Sequence, residues 1–131
     1  MKIIESLRHK LNKNAELSGQ EKETNKIINK FLEKTNPDVH YKNVGGYGII
    51  AIYKGVEEGK NILLRADIDG LNIPMNCQQY LGTGAGTEFK VQCQSQRQYQ
   101  YSHRCGHDGH AAILCGVAMR LEKKRPAKGN V

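Results

Sequence analysis

The sequence predicts an α/β domain, an incomplete layered fold with helices packed on a mixed sheet. Three observations carry this expectation. Apolar residues recur at helical spacing near both ends of the 131-residue chain. Between them, residues 47–53 and 61–68 form short apolar runs of the kind found in strands covered on both faces. The last residues, Gly129-Asn130-Val131, read as the approach to a further strand.

Taken in order, Ile4, Leu7 and Leu11 share one face of a first helix, with Arg8 and lysines between them. Ser18-Gly19-Gln20-Glu21 matches a capping box, in which Ser18 accepts from a free backbone N–H of a second helix and Glu21 reaches back. Ile27, Ile28, Phe31 and Leu32 form that helix's apolar stripe, and Asn36-Pro37 closes it. From Val39 the texture turns to strand, and Gly55 to Gly59 sit between the two apolar runs, which predicts a hairpin joining them. A last helix is expected over residues 109–124. Ile113, Leu114, Val117 and Leu121 share one face, Arg120, Lys123 and Lys124 stand at its negative end, and Pro126 follows it.

The length suits one domain, residues 1–131, with a single core. A composition of 38% hydrophobic and 25% charged residues excludes a disordered tail. No apolar run is long enough to span a bilayer, and residues 1–6 lack the continuous apolar stretch of a signal peptide, so no membrane partner and a cytoplasmic location are expected. The net charge of +7 raises nucleic acid as a partner. The lysines are scattered, however, and read as solvated helix faces, so no nucleic acid is expected. Four cysteines without a secretory signal point to reduced thiols, with Cys115 a small buried apolar residue.

Residues 76–101 fit this pattern poorly. They hold seven of the eight glutamines and one acid, Glu88. Gly82-Thr83-Gly84-Ala85-Gly86 lacks the Lys-Ser or Lys-Thr pair of a phosphate loop, which argues against a nucleotide site and for a flexible or miscoded segment.

The chemistry concentrates in His103-Arg104-Cys105-Gly106-His107-Asp108-Gly109-His110. Cys105 and His107 stand at i and i+2, and on an extended segment both side chains point one way, toward one ion. Thiolate and imidazole suit zinc, and imidazole also suits manganese, nickel or iron. The positive end of the following helix dipole suits both donors in their metal-binding forms, with Asp108 as a candidate cap. A second string, Leu64-Arg65-Ala66-Asp67-Ile68-Asp69-Gly70-Leu71, ends a predicted strand. There Asp67 is placed to accept from the ring N–H of a metal-bound histidine.

Together these strings resemble the aminoacylase-like amidohydrolases, which include hippurate hydrolases, auxin-conjugate hydrolases and N-acetyldiaminopimelate deacetylases. Glu16-Leu17-Ser18-Gly19-Gln20-Glu21 resembles the same family's early segment. The resemblance implies part of a zinc-peptidase-like catalytic domain, accompanied in full-length members by a dimerisation domain and often by homo-oligomers. It implies that Cys105 and His107 hold divalent ions (Zn, Mn, Ni or Co) in a two-metal site, that Asp67 is the active-site aspartate, and that the substrate is an N-acyl amino acid. Asn12 stands where relatives usually carry histidine, Ala15 where they carry proline, and Met75-Asn76-Cys77 where they are acidic. The family's paired glutamates are expected just past Val131, so this chain alone is expected to be inactive. Two other readings stay open: a non-catalytic metal-binding or interaction protein derived from that family, and a nucleic-acid binder argued from charge alone.

Overall fold

A computed structural model describes residues 2–74 and 99–131 of the chain. The glycine-rich segment at 82–86 and most of the glutamine-rich stretch, which drew separate expectations above, lie outside the described residues.

The first helix, α1 (Lys2–Lys13), buries Leu7 and Leu11 as its spacing predicts. The second, α2 (Lys22–Leu32), starts differently from expectation. Ser18 lies in a turn four residues before the helix and caps nothing; Glu21 reaches back to the Gly19 N–H at 2.9 Å. The cap comes instead from Glu16, whose carboxylate accepts from the backbone N–H groups of Glu23 (3.0 Å) and Thr24 (2.8 Å). A longer-range carboxylate thus satisfies free donors of the first turn that the serine cannot reach. A short 3-10 turn, Glu33–Thr35, ends the segment, and Asn36 takes a left-handed conformation before Pro37.

Strands β1 (Val39–Val44) and β2 (Gly48–Ile52) pair antiparallel through a turn at Gly45-Gly46. Buried amides fasten this hairpin to α2. The Asn25 side chain donates to the carbonyls of Lys42 and Tyr47, both at 2.8 Å, and Asn29 donates to the Asn25 side-chain oxygen at 2.9 Å.

The hairpin expected around Gly55–Gly59 is corrected by β3 (Glu57–Asn61), which pairs parallel with β6 (Lys128–Asn130). The glycines read as turn-formers serve close approach: a Cβ on Gly59 would lie 2.7 Å from the Gly129 nitrogen. Gly129 itself has φ +70, and a Cβ there would run into the Lys60 carbonyl oxygen. The run at 62–69 belongs to no strand, and Ile62, Leu63 and Leu64 are 58%, 87% and 45% exposed. Strands β4 (Leu71–Pro74) and β5 (Tyr99–Ser102) form a separate antiparallel pair.

The last helix, α3 (His107–Lys123), begins two residues earlier than predicted and buries a different face. Ala111, Ala112, Cys115 and Ala118 are buried, whereas Ile113 is exposed. Small residues let α3 lie close against α1, which the bulkier face would not allow. Leu7 and Leu11 of α1, Ile27, Ile28 and Leu32 of α2, Tyr53 and this small-residue face make the core. The C-terminal end of α3 is clamped by Arg125, which stacks over the Tyr53 ring at 5.0 Å and bonds Asp38 (2.9 Å) and the Asn36 carbonyl (2.6 Å). The described residues contain no helix long and apolar enough to cross a membrane.

Asn25→Ala removes the side-chain donor to the Lys42 and Tyr47 carbonyls, and the expected loss is about 2 kcal/mol in urea unfolding. An unchanged midpoint would show that the amide network does not hold the hairpin.

Candidate functional site

The register of β4 on β5, Leu71↔Ser102, brings the end of the 64–71 string alongside the start of the 103–110 string. Gly70 is fixed from the other side, where its N–H donates to the Glu16 carbonyl at 2.6 Å. Beyond β5 the chain turns sharply. The Gly106 N–H donates to the His103 carbonyl at 2.9 Å, and Gly106 takes φ +78, a conformation that favours glycine. His107 is therefore the first residue of α3, and Cys105 lies just ahead of the cap residue Gly106.

The His107 ring is oriented by Asp69. Its Nδ1 lies 2.9 Å from both the Asp69 carbonyl oxygen and Oδ1. Both neighbours are acceptors, so Nδ1 carries the proton and the lone pair is left on Nε2, the state of a metal-ligating histidine. The acid expected in this role was Asp67. In the structure Asp67 instead pairs with Arg65 and is half-exposed. Asp67 and Asp69 lie two apart, so only the backbone's path at the string's end decides which meets the ring.

Asp108 does not cap α3. It sits inside the first turn, 1% exposed, and its Oδ2 accepts from Asn12 Nδ2 (3.0 Å) and Arg8 Nε (3.2 Å) of α1. Burial pushes its carboxyl up, but hydrogen bonds from Asn12, the Gly109 backbone and Arg8 outweigh this and hold it below the usual carboxylate range.

Cys105 is a free, exposed thiol. The His110 ring stands 5.9 Å from that of His107. His103 is 6% exposed, and neither of its ring nitrogens has a partner among the described residues. The sequence signalled it only as one more histidine of the string. Among the described residues no group of three or more His, Cys, Asp or Glu side chains is arranged to hold a metal. Thiolate and imidazole are donors that suit a divalent metal ion, and Cys105 and His107 stand two residues apart at the start of α3. Asp67 and Asp69 also line one end of a cavity of about 720 Å³ that runs between α2, α3, β2 and residues 62–69.

No family model matches the chain. It is 35% identical over 127 residues to the N-acetylcysteine deacetylase of Bacillus subtilis, covering 96% of this chain and 30% of that protein. The hippurate hydrolase of Campylobacter jejuni is 30% identical over 118 residues, covering 90% and 27% respectively. Among solved structures, a dinuclear metal binding peptidase of the M20 family from Bacillus subtilis superposes with a TM-score of 0.76 at 34% identity, over 99% of this chain and 33% of the other. An aminohydrolase from methicillin-resistant Staphylococcus aureus gives 0.73 at 29% identity, over 98% and 31%. The chain thus has the M20 peptidase architecture and spans about a third of the length of these proteins.

Burial pushes the Cys115 thiol up to about 12, whereas Cys105 is exposed. Alkylation of the native protein at pH 8, read by peptide mass mapping, should label Cys105 and spare Cys115. Labelling of both at equal rates would contradict the packing of α3.

Proposed function

Because the chain belongs to the metal-dependent amidohydrolases of the aminoacylase and hippurate-hydrolase family, we propose that it carries part of the active site of an enzyme that hydrolyses the amide bond of N-acyl amino acids. The observation that carries this reading is the Asp69–His107 contact beside the exposed Cys105 thiol.

In this reading residues 1–131 are the N-terminal part of a catalytic domain, and Cys105 and His107 are two ligands of a divalent ion, with zinc, manganese, nickel or cobalt as candidates. The bound metal would polarise the amide carbonyl and lower the pKa of a water. Asp69 holds the proton at His107 Nδ1, so the ring presents Nε2 without having to rotate or change tautomer. Asp108 anchors the first turn of α3 to α1 and thereby fixes where the His107 Cα stands. Asp67, on the cavity wall, is the acid assigned to the reacting centre, with Arg65 setting its direction. A base to take the water's proton and further ligands are required from outside the described residues.

The relatives act as whole proteins about three times this length, so the 131-residue chain alone is expected to bind metal without turnover. Titration with Co²⁺ should give thiolate-to-metal charge-transfer absorption that disappears in Cys105→Ser and weakens in His107→Ala. Asp69→Asn should cost about tenfold in metal affinity, the effect typical of a group that orients a ligand. Metal binding indifferent to all three changes would sink this assignment. Metal-dependent cleavage of an N-acetyl amino acid by the isolated chain would show that no essential group is missing.

A further inference from the structure

The peptide unit between Asp69 and Gly70 is held at both ends. Its C=O, on Asp69, lies 2.9 Å from His107 Nδ1, and its N–H, on Gly70, donates to the Glu16 carbonyl at 2.6 Å. The unit is planar and trans, so these two groups point in opposite directions and move as one body. A rotation that breaks one contact therefore misaims the other. Gly70 has little room to shift. It is buried, and a Cβ there would lie 3.2 Å from the Ala15 Cβ, 3.3 Å from the Glu16 oxygen and 3.4 Å from the Ser102 oxygen. Residues 62–69 belong to no strand, so the hold on this peptide comes from its neighbours in space.

The segment that receives Gly70 is itself neither helix nor strand. Residues 14–18 are held instead to the first turn of α2. The Glu16 carboxylate accepts from the Glu23 N–H through one oxygen, at 3.0 Å, and from the Thr24 N–H through the other, at 2.8 Å. The Thr24 hydroxyl, on a residue 1% exposed, donates to the Asn14 carbonyl at 3.3 Å. The Glu16 side chain and its carbonyl share one Cα. Seating the carboxylate on two amides of the helix restricts the direction in which that carbonyl points.

We propose that Glu16 is a positioning residue for His107, acting through the Asp69–Gly70 peptide. A continuous path runs from the α2 amides to the Glu16 carboxylate, then from the Glu16 carbonyl through one peptide plane to the imidazole. Hydrogen bonds in such a series polarise one another, and each fixes the direction of the next. The Asp69 Oδ1 adds a second acceptor at the same Nδ1, 2.9 Å away, and both acceptors must be aimed at once for the ring to keep its proton there. The functional meaning of this inference rests on the reading of His107 as a metal ligand, but the coupling itself is read without metal.

The test uses the full 131-residue chain with ¹⁵N-labelled histidine, kept metal-free by a chelator at one fixed alkaline pH. In the unaltered chain the His107 ring should show a protonated Nδ1 and a free Nε2. Glu16→Ala should bring the two ring-nitrogen shifts toward a common average and speed exchange of the Gly70 amide at least about tenfold. Glu16→Gln, which keeps one acceptor oxygen, should lie between, and it carries the comparison if the alanine variant does not fold. Asn25→Ala weakens the hairpin while leaving Glu16 and its partners in place, so it should leave both readouts unchanged. A ring protonated at Nε2 in the unaltered chain would overturn the proposal. So would unmoved His107 shifts in a folded Glu16 variant, or an equal disturbance in Asn25→Ala. Co²⁺ binding indifferent to His107→Ala would instead strike the metal assignment, which the ring's tautomer does not report.

Discussion

At the end of the molecule that carries Cys105 and His107, the Asp108 carboxylate is buried between two helices and takes side-chain hydrogen bonds from α1. A buried carboxylate stripped of its donors is costly, so separating α1 from α3 exposes that cost as well as the apolar contact between them. The position of His107 follows from this, because it immediately precedes Asp108 in the first turn of α3. The Arg8 partner is largely exposed and screened, which makes Asn12 and the Gly109 backbone the more dependable donors. Asn12 supplies an N–H to this carboxylate at 3.0 Å.

Much of this was legible in the sequence, and the parts that were not have physical reasons. The α1 stripe and the approximate span of α3 were clear because helical periodicity is a local property. The face of α3 that packs on α1 was not legible because large apolar residues dominate a periodic pattern, while the close contact with α1 needed the small ones. Ser18 satisfied a capping rule over four residues, but Glu16 reached the helix from further back with a full charge. Gly55 and Gly59 carried a turn signal whose actual use was close approach by β6, a partner some seventy residues away in sequence. In the candidate site, Cys105 and His107 fall within one string. The sequence pattern assigned the role of orienting His107 to Asp67, whereas the structure gives it to Asp69 two residues on, which lies on the same side of an extended segment.

The same distinction between local and distant information explains the sheet. Residues 62–68 have the composition of a strand, yet strand structure needs a neighbour's backbone, and a sequence pattern does not supply one. Where β6 runs beside the chain, at Glu57–Asn61, even a fully exposed and charged segment is a strand. Where no described segment runs alongside, an apolar one is not.

Glu16 serves two partners at once. Its carboxylate caps α2, and its backbone carbonyl holds Gly70, the residue next to the aspartate that aligns His107. Genetically, such a position behaves as a hidden allele. A substitution there would present as a defect at the Asp69–His107 contact although the side chain touches neither residue. Its suppressors would map to the first turn of α2, where a new local cap would replace the lost carboxylate and hold the Glu16 backbone in place.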